Sequence, residues 1–305
     1  MRIRLLPLVL IVAAATVTAQ PVFRSGVDLV SVGVTVLDRK GTLVTGLTAD
    51  DFEVYEDGER QRLELFVGAA GQGAPLPDRP TALHLGLMLD ASGSMQDDIA
   101  STRTAAIKFL NLLPRADDIT VVDFDTEVRV ARYGQNDFPR LVERIRSRKA
   151  DGFTALYDAI GVYLDGAAEL DGEKVLVLYS DGDDTRSSLN VSEIVTLLKA
   201  SDVTLYAIGY LDNQSSSSKL TFRMRLQQLA EATGGRALFS TSIKDLDTTY
   251  AQILDEINAR YMLGYLSTNT RADGTWREVE IRLVRPELKG AKLRTRKGYF
   301  APYKP

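Results

Sequence analysis

A mainly parallel α/β sheet layered between helices, set within strands that build a second, sandwich-like unit, is the fold the sequence predicts. Three observations carry it. Apolar strands and amphipathic helices alternate from residue 83 to about 260, the rhythm of βα units whose sheet is covered on both faces. Residues 27–66 and the stretch after Arg260 instead alternate apolar and polar residues between turn signals, the pattern of antiparallel strands with one buried face. Neither β segment holds enough strands to bury a core alone, so the economical arrangement pairs the two.

Taken in order, Arg2 and Arg4 precede an apolar run from Leu5 to Ala15, and "VTA" before Gln20 offers small residues to a signal peptidase. This predicts a secretory signal over 1–19, cleaved after Ala19, with an uncleaved membrane anchor as the alternative. The run falls short of the ~20 residues of a spanning helix, and no later segment suffices, so the mature chain is expected to carry no membrane span and to be secreted or periplasmic. An N-terminal β segment, 20–67, follows in "VDLVSVGVTVL" and "DFEVYEDGERQRLELF", where Asp57-Gly58 signals a hairpin. The stretch "GAAGQGAPLPDRP" breaks all periodicity and reads as a linker over 68–80.

Residues 81–260 then hold the α/β domain. Strands are expected near 83–89, 118–124, 174–180 and 203–209, with helices near 97–112, 155–168, 191–200 and 220–232. "RLVERIRSRK" at 140–149 spaces Leu141 and Ile145 one turn apart and reads as a solvated helix face, whereas "QSSSSK" at 214–219 reads as a surface loop. The last helix, about 243–259, sets Ile243, Leu246, Tyr250, Ile253 and Ile257 on one stripe. A C-terminal β segment, 261–305, runs through "YMLGYL", "WREVEIRLV" and "AKLRTRKGYF" and is expected to pair with 20–67.

Composition excludes several function classes. The formal charge is −4, and no basic stripe interleaves with aromatics, which argues against a nucleic-acid surface. The absence of cysteine removes a lipobox, disulfides, thiolate catalysis and cysteine-ligated metals. The one histidine, His84, lies inside "TALHLGLML" and reads as a packed core or edge residue, leaving no Ser–His–Asp triad.

The chemistry concentrates in "LDASGSM", 89–95, where an apolar strand ends. Asp90, Ser92 and Ser94 place three oxygen groups on one side of an alternating backbone, and oxygen-only ligands select a hard cation such as Mg²⁺, Mn²⁺ or Ca²⁺. Alone the motif also suits an ordinary strand-to-helix turn. Two further loops strengthen it: "DGFTALYDAI" sets Thr154 before a helix, and "VLVLYSDGDD" sets Asp181 at the end of another buried strand. All three belong at the C-terminal edge of one sheet.

With these residues the sequence closely resembles the von Willebrand factor A domain, whose metal-ion-dependent adhesion site surrounds one divalent cation with a D-x-S-x-S loop, a Thr and an Asp. The resemblance covers roughly 81–260 and maps the ligands to Asp90, Ser92, Ser94, Thr154 and Asp181; the flanks look like those of bacterial secreted proteins of this kind. It implies a Rossmann-like domain and a non-enzymatic, adhesion-type binding module. Three neutral hydroxyls and two carboxylates would leave the cation electrophilic toward an acidic side chain of a protein partner. Asp97 and Asp98 match acids that serve an adjacent regulatory cation in integrin β subunits, but equally suit the positive end of the following helix. Asp183 and Asp184 either tune the site or form a solvated turn. A metal-dependent hydrolase or phosphatase using Asp90 and Asp181 lacks a general acid/base and a phosphate-cradling glycine loop; in a structural envelope protein the cation would only stiffen the loops.

Overall fold

The structure, a computed structural model, describes residues 29–69, 82–112, 116–211, 215–240 and 245–303. The expected signal over 1–19 and nearly all of the expected linker lie outside them. The described residues open with β1 (Leu29–Leu37), β2 (Phe52–Glu56), β3 (Glu59–Gln61) and β4 (Leu63–Val67). The turn between β2 and β3 is the anticipated Asp57-Gly58 pair, both at positive φ (50° and 86°). That is the backbone a two-residue hairpin needs to match the twist of its strands.

The α/β region follows as β5 (Leu83–Asp90), α1 (Ile99–Leu112), β6 (Asp118–Phe124), β7 (Val128–Gly134), α2 (Phe138–Ser147), α3 (Leu156–Ala168), β8 (Glu173–Ser180), α4 (Val191–Ala200), β9 (Val203–Tyr210), α5 (Ser216–Glu231), β10 (Arg236–Ser240) and α6 (Leu246–Asn258). Its sheet has the order β10-β9-β8-β5-β6-β7, parallel throughout except for β7. The central strands are buried on both sides, with Leu85, Leu87 and Leu89 of β5 facing α1, α2 and α6, and Met88 facing α3, α4 and α5. Because β5 pairs with β6 on one side and β8 on the other, the sheet reverses its strand order between β5 and β8. A crevice opens at such a point beyond the carboxyl ends of the strands.

One expectation is corrected here, and one strand is added. The run from Ser215 is not a loop: its hydroxyl accepts a hydrogen bond from the Ser218 amide (3.3 Å) and caps α5, which begins at Ser216. Gln214 lies outside the described residues. Residues 128–134, which no periodicity in the sequence marks, form the antiparallel edge strand β7; its half-exposed alternation of Val and Arg is too polar to read as a strand of a buried parallel sheet.

After α6 the chain enters β11 (Tyr261–Leu266), then β12 (Trp276–Leu283), β13 (Lys292–Arg294) and β14 (Gly298–Phe300). Strands from the two ends of the chain interleave: one sheet runs β13-β1-β11-β4 and another β14-β12-β2-β3. In register, Val32 sits opposite Leu263 and Val54 opposite Ile281. Val30, Val32, Val34 and Val36 of β1, Phe52, Val54, Tyr261, Leu263, Tyr265, Val279 and Ile281 share one core, the same-face spacing that period-two alternation requires.

Candidate functional site

Three loops meet at the crevice. Asp90, the last residue of β5, is fully buried, and its carboxylate accepts hydrogen bonds from the Ser92 amide (2.9 Å), the Ser92 hydroxyl (2.6 Å) and the Ser180 hydroxyl (2.7 Å). The Ser92 and Ser94 hydroxyls stand 3.1 Å apart. Ser92 is buried while Ser94 is exposed, so the row of oxygens leads from the interior to the surface.

Backbone hydrogen bonds hold the second loop against the first: Gly93 N–H donates to Gly152 O (3.0 Å) and Asp151 N–H to Ala91 O (2.8 Å). Gly152, at φ 77°, lies so near the Thr126 hydroxyl that a Cβ would come within 2.4 Å of it. The third loop is tied to the second by Thr185 and Arg186, whose amides both donate to Thr154 O (2.9 Å each), while Thr154 N–H donates to the Thr185 hydroxyl (3.0 Å). Thr154 and Asp181 are both buried within this junction.

The electrostatics favour a cation. Burial pushes the Asp90 carboxyl up to about 7, and the nearby charge of Asp181 adds to this against the hydrogen bonds from Ser92 and Ser180. Two carboxylates forced together at low exposure leave negative charge that a positive ion would compensate, and the surrounding hydroxyls suit a hard cation. Among the described residues no three acidic or histidine side chains gather as a metal-ligating group. The residues that could hold a divalent ion there are Asp90, Ser92, Ser94, Thr154 and Asp181.

Ser180 was missed from the sequence. It donates to Asp90 and accepts from the Gly182 amide (3.0 Å), and the one available signal was its place directly before Asp181. Asp184 accepts from Tyr157 N–H at the start of α3 (3.0 Å) and from the Ser187 hydroxyl (2.6 Å), which is a helix-capping role. Asp183 accepts from the Asp184 amide (2.9 Å). Asp98 is buried and Asp97 exposed, so the two do not share one environment. His84 lies at the opposite end of β5, with Nδ1 2.8 Å from Asp118 Oδ2 and Nε2 3.0 Å from Asp171 O. It is the packed residue expected and takes no part in the site.

Comparison with known proteins agrees with this architecture. The sequence profile of the von Willebrand factor type A domain matches residues 84–252. A von Willebrand factor type A protein from Catenulispora acidiphila superposes with a TM-score of 0.50 at 12% identity, over 85% of this chain and 76% of that one. The pilus adhesin SpaC from Lactobacillus rhamnosus GG gives 0.49 at 10% identity, over 87% and 49%. The vWF domain of the type V pili tip protein Mfa5 from Porphyromonas gingivalis gives 0.48 at 12% identity, over 59% and 96%. No curated protein sequence matches.

Proposed function

The chain belongs to the von Willebrand factor type A domain family, and from that premise we propose that it is a non-enzymatic binding module. It captures an acidic side chain of a protein partner at a divalent cation, Mg²⁺ or Mn²⁺ or Ca²⁺, held by Asp90, Ser92, Ser94, Thr154 and Asp181. The observation that carries this reading is the convergence of the three loops, with buried Asp90 wired to Ser92 and Ser180 and the hydroxyls leading outward to Ser94. A cation held there supplies a Lewis-acidic position for a carboxylate.

The reading in which the cation only stiffens the loops fits less well, because backbone hydrogen bonds already join all three. Hydrolysis is disfavoured because His84, the one histidine, sits at the far end of β5. No helix among the described residues is long and apolar enough to cross a membrane. We place the mature protein outside the cytoplasm, after removal of residues 1–19.

Calorimetry of the full chain with Mg²⁺ and with Mn²⁺ tests the site. Modest affinity is expected for the free protein and tighter binding when a carboxylate-bearing peptide is present, since linkage is reciprocal. Asp90→Ala should abolish both, with the far-UV circular dichroism retained. Peptide capture that is indifferent to EDTA and to Asp90→Ala would refute the proposal.

A further inference from the structure

A groove of about 720 Å³ runs along α3 beside the site, within the range of about 300–1,000 Å³ usual for binding clefts. Ala155 and Thr126, neighbours of the second loop, and Arg186 of the third line its near end. Its walls are Val128 at the start of the edge strand β7, Val162 of α3, and Leu189 and Leu197 beside and on α4; Gly161 leaves room between them. Val162 and Leu197 are 48% and 42% exposed. Val162 and Leu197 thus present aliphatic surface to the open cleft.

The groove is electrically polar along its length. Arg186 is exposed at the end beside the cation ligands, and Asp165 is exposed at the other, in no ion pair among the described residues. Asp158, between them, is already used: its carboxylate accepts from the Ser188 and Leu189 amides (2.9 and 3.0 Å). The near end therefore attracts an acid and the far end a base, with apolar walls between.

We propose that the partner lies in this groove as an extended segment. Its acidic residue occupies the cation site, apolar residues cover Val162 and Leu197, and a lysine or arginine reaches Asp165. From Leu156, two residues after the proposed ligand Thr154, to Asp165 the helix rises about 13.5 Å at ~1.5 Å per residue, which an extended chain spans in roughly four residues at ~3.3 Å each, with about one more to reach the cation. The recognised element is thus an acidic and a basic residue four or five positions apart with apolar residues between them. This rests on the carboxylate-capture reading of the site.

The test is selection of a displayed peptide library with one fixed glutamate and randomised flanks, on the full chain in Mg²⁺, with EDTA and Asp90→Ala as parallel arms. The expected result is enrichment of apolar residues beside the glutamate and of lysine or arginine four or five positions away. Resynthesised peptides should lose at least tenfold in affinity on Val162→Glu, and Asp165→Lys should reverse the preference from basic to acidic at the far position. Mg²⁺-dependent capture with no flanking preference, or a preference untouched by Asp165→Lys, overturns the groove and leaves the capture reading intact. Capture that ignores EDTA and Asp90→Ala overturns both. Self-association of the chain that Val162→Glu abolishes, without flanking selection, assigns the groove to a second copy and likewise overturns the proposal.

Discussion

At the scale of single residues, Ser180 shows how one hydroxyl organises the crevice. It donates to Asp90 and accepts from Gly182 N–H, so it joins the strand end of β5 to the turn after β8. Ser180→Ala leaves a buried carboxylate oxygen and a buried amide without their partner, a loss of about 1–3 kcal/mol. Urea denaturation should register that loss, and Mg²⁺ titration should show weakened binding because Asp90 is no longer oriented. Unchanged stability together with unchanged Mg²⁺ affinity would remove Ser180 from the site.

At the scale of elements, the turn leading into β2 is held by Asp51. Its carboxylate accepts from Thr48 N–H (2.7 Å) and pairs two-pronged with Arg285 Nε and Nη2 (2.8 and 2.7 Å), joining β2 to the chain just after β12. Burial acts against ionisation, yet the Thr48 amide and the Arg285 guanidinium outweigh it and hold this carboxyl below its usual range. A carboxyl lowered in the folded state contributes stability that is full above its unfolded value near 3.9 and is lost as pH falls through the lower folded value. Asp51→Asn should therefore narrow the stability difference between neutral pH and about pH 3, measured by thermal unfolding across that range. A pH dependence identical to that of the unaltered protein would show that Asp51 contributes nothing there.

At the scale of the whole molecule, strands from the two ends of the chain meet on one buried carboxylate. Glu56 of β2 accepts from the hydroxyls of Tyr265 of β11 (2.8 Å), Ser267 (2.5 Å) and Tyr299 of β14 (2.9 Å), and faces Arg277 of β12 (3.4 Å). Removing one member of a buried ion pair strands the other, so Glu56→Ala should destabilise the protein by about 3–5 kcal/mol, with Glu56→Gln milder because it keeps a carbonyl acceptor. Chemical denaturation decides, and equal effects of the two variants would show that charge is irrelevant. Deleting 261–305 should uncover the valines of β1 and cause aggregation by light scattering, whereas an 81–260 fragment should stay soluble and unfold cooperatively. A 20–260 fragment that behaves as well as the 81–260 one would sink the shared core.

Local patterns in the sequence were enough for the alternation of strands and helices, the Asp57-Gly58 hairpin, the two β segments, the strand ends at Asp90 and before Asp181, and the loop before a helix that carries Thr154. Each of these depends on periodicity or turn chemistry within a few residues. The tertiary structure alone decided that the strand order reverses between β5 and β8, that Ser180 binds Asp90, that Asp184 caps α3, and that Glu56 gathers hydroxyls from β11 and β14. It also decided that β7 closes one edge of the sheet and that a groove with Arg186 and Asp165 at its ends runs beside the site. The reason is physical: a repeat of two or 3.6 residues determines which side chains share a face, but not which distant face they meet. That choice belongs to the packing of the whole chain, where contacts hundreds of residues apart become favourable only together.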